Sequence, residues 1–122
     1  MMIPRLYADG DGESHFDVLE MAMTLQDFAP PAAPLYASKA HAASRFVVLE
    51  LPVAWGGDEP HPTPGRYMLF CLAGSLTFTS SNGETRSIST GDALLMADTS
   101  GKGHRTSVTS DTPVRAVMIR LE

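Results

Sequence analysis

Apolar and polar residues alternate along much of this chain with the period of two that marks a half-buried strand. The clearest run is "SLTFTS" at 75–80, where Leu76 and Phe78 point one way and Thr77 and Thr79 the other. Asn82-Gly83 follows, a pair that favours a type I′ hairpin turn, and "ETRSIS" at 84–89 supplies the return strand. "RFVVLELP" (45–52), "ALLMA" (93–97), "HRTSVTS" (104–110) and "VRAVMIRL" (114–121) are further strand-length segments bounded by Pro, Gly or Asp. "YMLFCL" (67–72) is apolar throughout, which predicts burial on both faces.

The first third is less regular. "FDVLEMAMTLQDF" (16–28) has helix-forming residues, yet Leu19, Met21 and Met23 alternate with Val18, Glu20 and Ala22, and one or two strands are expected there. "APPAAP" (29–34) lacks the amide donors of a central strand or helix and reads as an extended crossing segment. Residues 1–44 therefore form an irregular N-terminal segment and 45–121 the core of a single domain spanning 1–122. Seven to nine short strands separated by turns predict an all-β fold, a sandwich or small barrel of two antiparallel sheets.

A chain of 122 residues can bury one core, and 43% hydrophobic with 19% charged residues is the composition of a globular domain. The formal charge of −5 argues against nucleic acid or an anionic membrane as partner, because phosphate binding needs a basic face. The single cysteine, Cys71, sits in an apolar run and is expected to pack as a small hydrophobe. No basic-then-apolar leader opens the chain and no apolar run reaches membrane-spanning length, which predicts a cytoplasmic protein. Asp9, Asp11 and Glu13 lack the spacing of a calcium loop and read as a solvated turn; His15 and His41 read as surface.

Two segments carry candidate chemistry: "WGGDEPHPTPGRYMLFCLAG" (55–74) and "TGDALLMADTSGKGHRT" (90–106). Together they resemble the two motifs of small single-domain cupins, with "CLAGSLTF" and "TGDALLMAD" the most specific parts. The resemblance implies a jelly-roll barrel, frequently dimeric, with its site inside the mouth. It also implies a divalent transition metal (iron, manganese, zinc or nickel) held by three histidines and a glutamate. Here the ligand pattern is incomplete. His61 takes the first histidine position, but Thr63 stands at the second and Tyr67 at the glutamate. Lys102 occupies the histidine position of the second motif, and His104 follows two residues later, at the end of a longer "TSGKGH" loop.

Two histidines leave two kinds of chemistry open. His61 and His104 could share a metal completed by water or substrate. Alternatively they could act as acid and base in a cavity lined by Met68, Phe70, Met96 and Met118, with Arg66 fixing a carboxylate and Tyr67 donating to an oxyanion. Strand parity sets Arg66 opposite Tyr67 and so favours an outward guanidinium. Trp55 reads as a cover for the barrel mouth or as part of a dimer contact. The readings are a small-molecule enzyme (isomerase, lyase, cyclase or dioxygenase-like), a non-catalytic ligand-binding or sensing module, and a barrel retained for partner contacts. A homodimer is expected, with the N-terminal segment contributing to it.

Overall fold

The computed structural model describes all 122 residues and contains eleven strands and no helix. They are β1 (Met2–Ala8), β2 (Ser14–Glu20), β3 (Thr24–Gln26), β4 (Leu35–Ala37), β5 (Ala43–Leu51), β6 (Tyr67–Ala73), β7 (Ser75–Ser80), β8 (Thr85–Ser89), β9 (Ala93–Ala97), β10 (His104–Val108) and β11 (Val114–Leu121). A six-stranded sheet, ordered β2-β1-β9-β6-β11-β5, faces a three-stranded sheet, β10-β7-β8. β3 and β4 form a separate hairpin. No helix is long and apolar enough to cross a membrane.

The core lies between the two sheets. Leu6, Leu69, Leu94, Met96, Val114 and Ala116 of the large sheet meet Leu76, Phe78, Ile88 and Val108 of the small one. Leu76 and Phe78 are fully buried, as the alternation in β7 requires. Cys71 joins this core, and burial pushes its thiol pKa up, so it behaves as an inert apolar side chain.

Several expectations change. The strand count exceeds seven to nine, because residues 1–44 supply four strands rather than one or two. The large sheet is not purely antiparallel: β1 runs parallel to β9, which carries the N-terminal segment into the main sheet. Residues 29–34 do not cross the fold but close the β3–β4 hairpin. The Asn82-Gly83 turn is not type I′, since only Gly83 has positive φ (91°). The Asn82 side-chain oxygen accepts from the Glu84 amide and the Ser80 hydroxyl, which fits a longer loop ending in a left-handed glycine.

β6 is apolar on both faces, but only one is covered. Tyr67, Leu69 and Cys71 point inward, whereas Met68, Phe70 and Leu72 lie on the outer face, where Phe70 and Leu72 are exposed.

Candidate functional site

The "TSGKGH" loop brings the two histidines together. Gly101 and Gly103 both have positive φ, 77° and 75°, and reverse the chain into β10. The β1–β2 turn clamps the loop: the Lys102 amide donates to Gly12 O, its ammonium pairs with Glu13 at 2.7 Å, and the Ser14 hydroxyl donates to Gly103 O. The Lys102 ammonium holds the Glu13 carboxyl below its ordinary pKa. His104 enters β10 at the end of this loop and exchanges two backbone hydrogen bonds, each 3.0 Å, with His61. The imidazole centroids are 5.1 Å apart.

Their surroundings differ. His61 lies at the exposed mouth, and its Nδ1 donates to Pro62 O at 3.1 Å. His104 is 1% exposed, against Phe78, with Nδ1 2.5 Å from Asp98 Oδ2. Asp98 is completely buried, and its other oxygen accepts from the Thr63 hydroxyl at 2.7 Å. Both carboxylate oxygens accept, so His104 Nδ1 carries a proton toward Asp98, and in the neutral ring the lone pair falls on Nε2. No sealed side-chain nitrogen or oxygen lacks a partner, and no protein group bonds Nε2, so Nε2 opens into the adjoining cavity.

That cavity has a volume of about 250 Å³. His61, Thr63 and His104 lie along one side, with Leu49, Leu69, Met96 and Met118 of the large sheet opposite. Trp55 lines it too, partly exposed, with its carbonyl accepting from the Val108 amide.

The remaining sequence candidates lie elsewhere. Arg66 faces outward and pairs with Glu122, as its strand parity required. Phe70 and Met68 lie on the outer face, because an apolar residue at every position of β6 leaves no alternation from which to read a face. Tyr67 points inward but lies outside the cavity lining, its ring beneath the Arg120 guanidinium. His15 is half-buried rather than surface: it stacks on Tyr7 and pairs with Asp9, lowering that carboxyl's pKa. Asp98 closes the "TGDALLMAD" motif, yet it stands at no ligand position of the family pattern, so sequence reasoning did not single it out.

The donors do not suit a tightly held transition metal. No group of three or more His, Cys, Asp or Glu side chains stands together, and the one nearby carboxylate is spent on His104 and Thr63. Two neutral imidazoles supply neither the number nor the charge that the cupin resemblance implies.

No characterised protein in the curated set matches this chain. Among solved structures it is similar to a cupin protein from Bacteroides fragilis, at 22% identity and TM-score 0.48 over 63% of this chain and 64% of that one. A conserved protein of unknown function from Streptococcus pyogenes aligns at 18% identity and TM-score 0.46, over 63% of this chain and 62% of that one. The cupin domain of Cnp3 from Schizosaccharomyces pombe aligns at 14% identity and TM-score 0.49, over 89% and 73%. This chain thus spans less than two thirds of the first two relatives. The model of the cupin domain matches residues 47–120, more than half of the chain, and the protein belongs to that family.

Proposed function

We propose that this protein is a small-molecule enzyme that moves protons in the jelly-roll cavity. One observation carries the reading: a buried imidazole held by a buried carboxylate, with its free nitrogen open to an apolar cavity. Histidine is the side chain best suited to exchange protons near neutral pH. Asp98 and Thr63 hold His104 in one tautomer, and His61 at the mouth offers a second imidazole. A volume of about 250 Å³ falls below that of drug-sized sites and suits a compact ligand. In the step proposed, Nε2 takes a proton from a carbon beside a carbonyl, and the C–H electron pair passes into the enolate. Returning a proton at another position completes an isomerisation; expelling a neighbouring group completes an elimination.

A panel of small enolisable keto and hydroxy acids in D2O, followed by proton NMR, tests this. A member of the panel should lose its α-proton signal with the wild type and at least about 100-fold more slowly with His104→Gln. Ligand-dependent stabilisation without exchange by the wild type would instead mark a binding module.

We further propose that the working unit is a dimer joined through the outer face of the six-stranded sheet. Antiparallel sheets usually turn polar residues to water, yet Phe46 and Val48 here are 69% and 67% exposed. Six strands of about seven residues give a face about 24 Å by about 23 Å. With side-chain relief and the β3–β4 arm, it approaches the roughly 800 Å² per partner of a stable pair. Its margins carry charges as opposite-sign pairs, Arg5–Asp17, Arg66–Glu122 and Glu50–Arg115, so the patch can face its own copy without net repulsion. Sedimentation should give a dimer for the wild type and a folded monomer for the Phe46→Asp, Val48→Asp double variant. A monomeric wild type would end this proposal.

A further inference from the structure

We infer that the cavity mouth holds an anion subsite, Arg120 with Arg45, which binds a carboxylate on the same ligand that His104 acts upon. This rests on the proton-transfer reading and adds the substrate class. The register carries it. Arg45 lies directly opposite Arg120 in the β5–β11 ladder, Arg120 opposite Tyr67, and Tyr67 opposite Met96, so the four form one row across the inner face. The next row, Val47, Met118, Leu69 and Leu94, lies about 7 Å deeper, and its Met118 and Leu69 line the cavity. The arginines therefore occupy the rim of the space onto which His104 opens.

Directly opposed like charges destabilise a strand pair. Every other close arginine pairing in the large sheet includes an acid, but neither Arg45 nor Arg120 forms an ion pair. Arg120 is nevertheless held in place. Its Nη1 donates to Pro64 O at 3.2 Å, and its Cζ lies 5.4 Å from the Tyr67 ring centroid. The guanidinium also lies so close to Gly65 that a Cβ there would sit 2.1 Å from Cζ. Pro64 itself lines the cavity, so the guanidinium is anchored to the cavity wall. Of the five donors of a guanidinium, only one is engaged. A half-buried, oriented cation beside a second unpaired cation is an arrangement that an incoming carboxylate completes, because the fork geometry accepts both its oxygens. The net charge of −5 makes the local reversal of sign more pointed, since it confines attraction for anions to a few places.

The test uses pyruvate and malonate, methyl pyruvate as a neutral counterpart of similar shape, and inorganic phosphate, with binding read by calorimetry and by the histidine ring proton shifts. The carboxylates should bind about 10- to 100-fold more tightly than the ester, and Arg120→Gln should erase that preference while leaving the fold intact. Arg120→Lys should restore only part of it, because an ammonium lacks the fork. Tighter binding of phosphate than of either carboxylate would replace the assigned class. Equal binding of acid and ester by the wild type, an unchanged preference in Arg120→Gln, or no binding of any anionic probe would overturn the subsite. The readout separates the two proposals. His104→Gln should retain the anion preference, so loss of exchange with preference intact concerns catalysis alone, and the reverse concerns the subsite alone.

Discussion

Replacing Asp98 by Ala is expected to destabilise the protein by about 2–5 kcal/mol, the cost of two buried donors left without an acceptor. Asp98 is fully buried and receives both His104 Nδ1–H and the Thr63 hydroxyl, so its loss leaves two buried donors without acceptors. Urea denaturation measures the loss directly. A change under about 1 kcal/mol would show that water reaches the site and replaces the carboxylate. Asp98→Asn separates stability from function. The amide keeps the shape but has one acceptor oxygen for two donors, so either Thr63 must turn its hydroxyl or His104 must change tautomer. The fold should lose only about 1–2 kcal/mol, while proton transfer by His104 falls about 100-fold or more. Asp98 lies behind the imidazole, away from the cavity, and positions it. A shift in the ring nitrogen resonances of His104 would record the tautomer change, which a purely structural role would not produce.

The second large effect is expected at Gly103. A Cβ there would lie 2.0 Å from the His61 carbonyl carbon and 2.2 Å from its oxygen, contacts with backbone that no rotamer relieves. Its φ of +75° adds about 1–2 kcal/mol for any L residue. Gly103→Ala should therefore separate His61 from His104 and lose both hydrogen bonds of their bridge, a total of about 3–4 kcal/mol. Gly83→Ala serves as the control, because Gly83 also has positive φ but a Cβ there meets nothing. It should lose only the conformational part. Equal losses at the two glycines would mean that the 61–63 segment yields freely, and would remove the loop's role in holding the histidines together. Thermal unfolding and the cross-peaks between the two imidazoles read both parts of the prediction.

How much of this was legible follows from what each signal encodes. β7, β9 and β11 match their sequence segments residue for residue, because alternation or an unbroken apolar run is bounded there by Gly, Asp or Pro. The strands expected within 16–28 correspond to β2 and β3, whereas β1 and β4 were missed: β4 is too brief for a period to register, and β1, "MIPRLYA", contains a proline and no clean alternation. The pairing of His61 with His104 was anticipated from the family motif and the longer loop. Trp55, Met96 and Met118 are placed in the lining of the same cavity. Phe70 and Met68 are not, because β6 is apolar on both sides and period-two reasoning then names no face.

By itself, then, the sequence determined an all-β jelly roll with two histidines at the ends of converging segments, because turn residues and periodicity act within a few positions of one another. Only the tertiary structure decided which face of β6 looks inward, that Asp98 and Thr63 stand behind His104, and that Arg45 and Arg120 lie side by side. Those relations join residues 35, 6 and 75 positions apart, through strand register and sheet packing. Such pairings are set by how the whole core closes, and period-two patterning does not carry them.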